Sequence, residues 1–235
     1  MKKIFYSILD VLYPGRCPVC HRILKDKRTS VCPECRDTFR PVRGHYCLKC
    51  GKPVKPDEEY CPECGKGPRS FDRGRGVFLY DGIMRRSLVR YKYYGCREYG
   101  DYYGEEICRY AGGEIRRWAP DVIVPVPLYK RKLRMRGFNQ SAYLARRIGE
   151  TLGIPVSEEI LVKIQNTRSQ KKLGAAERKR NLVQAFRVPE DISGLTVLVV
   201  DDVFTTGATI DAAAACLKAA GAEKVFFITL CIGRV

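Results

Sequence analysis

The stretch VLVVDDVFTTGATI, Val197 to Ile210, runs four apolar residues into two adjacent carboxylates and then into a loop of small and hydroxylated residues. Four consecutive branched residues suit a strand buried on both faces, as in a parallel sheet. The alanine-rich ATIDAAAACLKAAGA that follows reads as a helix, ended by Gly221. Asp201 and Asp202 therefore fall at the carboxyl end of a strand, the edge where open α/β sheets bind ligands. A small-residue loop entering a helix turns backbone N–H groups toward an anion.

An anion loop alone leaves the carboxylates unexplained, because they repel phosphate unless they contact something else. Vicinal ribose hydroxyls donate well to carboxylates, and a divalent cation can bridge the same region. A sugar held by its hydroxyls beside a phosphate cradled at the helix start uses both halves of the motif. The expected ligand is a ribose 5-phosphate moiety. A Walker loop would need a lysine after its glycine, and a GxGxxG fingerprint is absent. Two solvated aspartates before a capped helix are the plain alternative.

Working outward, VFLYDG reads as a strand and turn, and IMRRSLVRYKYYG as a basic helix with Leu88 and Val89 inward. A longer helix is expected over Glu98 to Trp118. From Asp121 the pattern alternates: strand DVIVPVP, basic loop LYKRKLRMRG, helix FNQSAYLARRIGETLG, a strand near Ile160 to Ile164, the strand–loop–helix of the opening, and a last strand KVFFITLCI. Alternating βα units predict an α/β domain, a mostly parallel sheet with helices on both faces. The expected boundaries are 1–70 for a cysteine-rich module, 71–120 for a connecting strand and helix region packing on the main domain, and 121–235 for that domain.

Eight of the twelve cysteines form four CxxC pairs, Cys17/Cys20, Cys32/Cys35, Cys47/Cys50 and Cys61/Cys64. Each CxxC turns tightly enough for both sulfurs to meet one ion, and tetrahedral Zn²⁺ takes four thiolates, so two structural zinc sites are expected. Sequential pairing would make two consecutive ribbons and interleaved pairing a cross-braced fold; the spacing favours the former. Disulfides or redox dithiols would need an oxidising compartment or a thioredoxin-like context, and neither is visible. Cys96, Cys108, Cys216 and Cys231 read as core residues.

The formal charge of +17 falls to about +13 with both sites metallated. Such an excess suggests a polyanionic partner, nucleic acid or an acidic membrane, against the alternative of a merely basic surface. The opening MKKIFYSILDVLYP imitates a signal peptide, but Asp10 interrupts its apolar run and no small-residue cleavage site follows. An amphipathic helix packed on its own protein is expected there. No apolar stretch approaches the roughly 20 residues that cross a bilayer, so cytoplasmic residence is expected, at the inner face of the membrane only through partners.

Taken together, these stretches resemble the ComF family of competence proteins in natural transformation. VLVVDDVFTTGATI is similar to the phosphoribosyl pyrophosphate (PRPP) signature of type I phosphoribosyltransferases. The CxxC module, YDGIMRRSLVRYKYYG, VPVPLYKRKLRMRGFNQS and TRSQKKLGAAERKRNLVQAF lie where the family has its characteristic stretches, over nearly the whole length. The resemblance implies a double zinc ribbon before a type I phosphoribosyltransferase-like domain, with Asp201 and Asp202 on ribose hydroxyls and Thr205, Thr206, Gly207, Ala208 and Thr209 on the 5-phosphate. It also implies a pyrophosphate loop near Pro127, Leu128 and Tyr129, completed by Mg²⁺.

Candidate cations for the leaving pyrophosphate are Arg134 and Arg136, or Lys171, Lys172 and Arg178 on a polar segment that could form a lid. No histidine lies in the sheet domain to act as a general base; His21 and His45 both belong to the zinc module. Lys130, Arg131 and Lys132, with Arg86, Arg90 and Lys92 interleaved with Tyr91, Tyr93 and Tyr94, suit single-stranded DNA, cations tracking phosphates and rings stacking on bases. The reading at this stage is a DNA-uptake protein that binds single-stranded DNA and Mg-PRPP, with a competence helicase or other DNA-processing protein as a further partner. The alternative is a metabolic phosphoribosyltransferase acting on a small nitrogenous acceptor.

Overall fold

The computed structural model describes residues 14–26, 29–164 and 185–234. After the cysteine-rich segment come β1 (Arg73–Leu79), α1 (Gly82–Tyr93), α2 (Tyr99–Trp118), β2 (Val122–Pro125), α3 (Lys130–Arg136) and α4 (Gln140–Leu152). They are followed by β3 (Val162–Lys163), β4 (Phe186–Arg187), β5 (Thr196–Phe204), α5 (Ala208–Ala219) and β6 (Lys224–Ile232). Four strands form one sheet in the order β1-β6-β5-β2, every neighbouring pair parallel.

Burial on both sides explains the unbroken apolar runs of β5 and β6. Leu198, Val200, Ile228 and Leu230 face a core shared with α1, α2 and α4, while Val197, Val199, Val225 and Phe227 face one shared with α5. Each such side chain removed from water contributes about 1.5–3 kcal/mol. The expected parallel α/β sheet with helices on both faces is the observed one. Residues 71–120 supply its edge strand β1 and two helices covering one face.

The ribbons sit on opposite faces. Cys17, Val31, Cys35 and Phe39 join the core of α1 and α2, whereas Cys47, Cys50 and Cys61 join that of α5. The segment between the ribbons crosses the sheet edge, where Val42 N–H donates to Val77 O and Leu79 N–H to Arg40 O, each at 2.8 Å. This covers an edge that would otherwise offer unpaired backbone groups.

Several local expectations need correction. The basic segment Lys130–Arg136 is a helix, not a loop; it is stopped at Gly137, whose φ of 75° lets its N–H cap Leu133 O. Among the described residues, the strand near Ile160–Ile164 pairs only with β4, antiparallel and apart from the main sheet. Val89 is 39% exposed rather than inward, because the phase of α1 buries Met84, Ser87, Leu88 and Tyr91. The expected N-terminal helix and the lid candidates Lys171, Lys172 and Arg178 lie outside the described residues. Among the described residues, no helix is long and apolar enough to cross a membrane.

Candidate functional site

The topology opens a crevice at the carboxylates. β2 pairs with β5 only as far as Pro125↔Val200, while β5 runs on beside β6 to Phe204↔Ile232. The chain leaves β2 toward α4 on one face and leaves β5 for α5 on the other. The strand ends therefore part where Asp201 and Asp202 begin, a topological switch point.

Both carboxylates are buried, Asp201 to 8% exposure and Asp202 to 5%. Asp201 Oδ1 accepts from Ser141 Oγ at 2.8 Å and from Asp202 N–H at 2.9 Å. Asp202 is ion-paired with Lys92, reaching in from α1. Burial and the neighbouring Asp202 charge push the Asp201 pKa up to about 7. Burial opposes the charge on Lys92, but the Asp202 carboxylate outweighs it and holds that pKa above the ordinary lysine value. Lys163 on β3 also feels Asp201; burial and Lys132 lower its pKa.

The turn after β5 enters α5 through a left-handed glycine. Gly207 adopts φ 77° at the start of α5, and a Cβ there would lie 2.4 Å from the Phe204 ring, so glycine is required. Thr205 and Thr206 are exposed, and Thr206 Oγ1 accepts from Ala208 N–H at 3.4 Å; Ala208 and Thr209 are half-buried. The ribbon side of the chain braces this turn. Ser70 N–H donates to Asp211 Oδ1 at 2.7 Å, Arg69 Nη2 donates to Thr206 O at 3.4 Å, and Phe71 packs edge-on against Phe204.

Pro127, Leu128 and Tyr129 lie half-buried just beyond β2, tied in by Asn139, whose Nδ2 donates to Val126 O at 3.2 Å while its Oδ1 caps α4. Arg134 is exposed. Arg136 is half-buried, its guanidinium 4.8 Å from the Tyr93 ring centre and donating to the Tyr93 hydroxyl and Gln140 Oε1.

Of the residues read as DNA contacts, Lys130, Arg131 and Lys132 are exposed on α3, and Arg86 and Arg90 lie on α1 away from the core. Tyr93 is 52% exposed. Tyr91 does not fit that expectation: it is fully buried, packs against Tyr103 and Phe138, and donates to Gln140 O at 3.0 Å. Lys92 likewise turns inward to Asp202 rather than outward. Sequence reading gives no role to Ser141, Lys163 and Arg69, which are brought in from three separate elements; Ser141 ends the stretch VPVPLYKRKLRMRGFNQS, whereas Lys163 and Arg69 carry no motif. Lys92 was noticed but misassigned, because its charge pattern matches a solvent-facing one.

The eight CxxC cysteines gather as two sets, Cys17, Cys20, Cys32 and Cys35, and Cys47, Cys50, Cys61 and Cys64, with ligand atoms in each set within 4.8 Å of one another. The pairing is sequential, and four converging sulfurs fit tetrahedral zinc. Asp201 and Asp202 offer hard carboxylate oxygens, the donor type that Mg²⁺ takes.

A double zinc ribbon domain model matches residues 8–65, and a phosphoribosyl transferase domain model matches residues 105–234. The chain is 31% identical over 221 residues to the DNA utilization protein YhgH of Salmonella typhimurium, covering 93% of this chain and 97% of that one. It is 30% identical over 213 residues to the competence protein ComFC of Bacillus subtilis, covering 86% and 83%. Among solved structures, a purine phosphoribosyltransferase from Pyrococcus horikoshii is similar over 56% of this chain and 74% of that chain, with 20% identity and a TM-score of 0.37.

Proposed function

Because the chain belongs to the ComF/YhgH family of competence and DNA utilization proteins, a double zinc ribbon joined to a phosphoribosyltransferase domain, we propose that it handles single-stranded DNA and binds Mg-PRPP at the crevice between β2 and β5. The observation that carries the PRPP half is the buried Asp201–Asp202 pair beside the left-handed Gly207 turn. Asp201 and Asp202 would take the ribose hydroxyls, and the N–H groups from Thr205 to Thr209 the 5-phosphate. Bound Mg²⁺ would supply charge neutralisation at the pyrophosphate. Ser141 orients Asp201 for this, and Lys92 pairs with the buried Asp202.

The DNA half is supported by the chain's +17 charge, by the exposed cations of α3, and by the names of its relatives. Calorimetric titration of Mg-PRPP into wild type and the Asp201→Asn/Asp202→Asn variant tests the site. Saturable binding lost in the variant is expected; no heat at millimolar ligand would refute it. Pyrophosphate release that requires an added free base, with no effect of single strands, would replace this reading by a metabolic transferase.

A further inference from the structure

A second concavity lies on the other side of α1, away from the carboxylates. Its volume is about 610 Å³, and it is lined by His21 of the first ribbon and by Arg85, Arg86, Val89, Arg90 and Tyr94. Arg16, whose Nη1 donates to His21 O at 3.2 Å, lies beside the groove on the ribbon side and interacts with the Glu98 carboxylate. Among the described residues, no carboxylate lines the groove. Arg85 and Arg86 are exposed and Arg90 is half-buried, and among the described residues none of the three forms an ion pair, whereas the half-buried Arg69, Arg75, Lys92 and Lys218 each do. Converging cations without internal partners repel one another and are relieved by an external polyanion.

The apolar lining narrows the class of polyanion. Tyr94 is 73% exposed and Val89 39%, so a ring and an aliphatic side chain face solvent among the arginines. Unstacked bases can lie on such a surface while arginines track the backbone, whereas a duplex keeps its base faces stacked inside. Tyr93, adjacent in sequence and bonded to Arg136, continues the cationic and aromatic pattern toward α3.

We infer that the groove between the first ribbon and α1 is the binding track for a single-stranded polynucleotide, with Arg85, Arg86 and Arg90 on phosphates and Tyr94 stacked on a base. The inference rests on the DNA half of the proposed function and assigns it a place. It also gives the first ribbon a role as one wall of the track, contributed by His21. The groove and the crevice share α1, which presents Lys92 to one and the arginines to the other.

The test is fluorescence anisotropy of a labelled oligothymidylate with the full-length, zinc-loaded protein across a salt series. Changing Arg85, Arg86 and Arg90 together to Gln is expected to weaken binding at least tenfold and to flatten the log–log salt slope by about 2, roughly 0.7 per phosphate contact. Tyr94→Ala is expected to weaken binding about tenfold with the slope unchanged, and Tyr94→Phe to restore it. Both variants should keep two zinc equivalents and Mg-PRPP binding, since these side chains face away from the core. A triple variant that binds like a wild type that itself binds DNA overturns the groove alone. Equal affinity for a duplex of the same length overturns single-strand selectivity. Wild type that ignores the oligonucleotide but binds phosphatidylserine vesicles through these arginines overturns both the groove and the DNA half of the reading.

Discussion

The two ribbons use one local geometry in two tertiary settings. In each, the residue after the second cysteine of the leading CxxC is left-handed, His21 at φ 67° and Gly51 at φ 76°, and its N–H donates to the first cysteine's carbonyl at 2.8 Å. At Gly51 a Cβ would lie 2.8 Å from Arg75 Cα, because this turn is pressed onto β1. At His21 there is room for a side chain, and its Nδ1 hydrogen-bonds the Tyr99 hydroxyl at 2.5 Å. The second ribbon is thus built against the sheet through its backbone, and the first is attached through side chains. Identical metal chemistry should therefore have different reach in the two modules.

The widest separation is expected from removing one ligand of each. Cys61→Ser, at a fully buried ligand packed with Phe71 and the α5 core, should lose one zinc equivalent, lower the melting temperature by more than ~5 °C, and weaken Mg-PRPP binding through the brace on the Gly207 turn. Cys20→Ser, at a half-exposed ligand, should lose the other equivalent, melt closer to wild type, and weaken oligonucleotide binding while sparing Mg-PRPP. Zinc assay, thermal melts and the two titrations on both variants check this. Equal losses of both ligands in both variants would break the comparison.

A sharper probe uses the turns themselves. Gly51→Ala must combine left-handed backbone with a clash against β1 backbone, a cost of about 3 kcal/mol. His21→Gly relieves backbone strain but gives up the Tyr99 bond, so its net change should stay below ~1 kcal/mol. Urea unfolding of the pair reads the difference directly.

Lys92→Met tests the element shared by crevice and groove. It leaves the buried Asp202 without its counter-charge, and breaking a buried pair costs about 3 kcal/mol. The loss should be smaller in the Lys92→Met/Asp202→Asn double variant, a cycle that isolates the pair.

A further effect is pH-dependent. Asp201, raised to about 7 by burial and by Asp202, holds a proton in the folded state that the unfolded chain releases near the ordinary carboxylate range. Its stabilising contribution is complete below that range and is lost as pH rises to 7. The melting temperature of wild type relative to Asp201→Asn should therefore fall between pH 4 and 7 and level off above it. A constant difference would show that Asp201 titrates normally.

Legibility followed the range of the interactions. The strand ending in Asp201–Asp202, the left-handed turn and α5 are contiguous, and their residues carry their own reasons for that geometry. The strand at Ile160–Ile164 was misplaced because its apolar pattern says nothing of which partner it pairs with. The charges of the segment at Lys130 suggest a loop, while its helix depends on the left-handed stop at Gly137. Tyr91 and Tyr93 are two residues apart and look alike, yet one is core and the other half-exposed, since the phase of α1 is set by the sheet beneath it.

By itself, the sequence determined what acts over a few residues: four CxxC turns, apolar runs suited to burial on both faces, and a strand, glycine turn and helix able to hold a sugar phosphate. Tertiary structure alone decided that Lys92, Ser141 and Lys163 surround Asp201 and Asp202, that the ribbons lie on opposite faces of the sheet, and that Arg85, Arg86, Arg90 and Tyr94 meet His21 across a groove. Those residues come from elements tens of residues apart, and only the packing of helices onto the sheet fixes where their side chains converge.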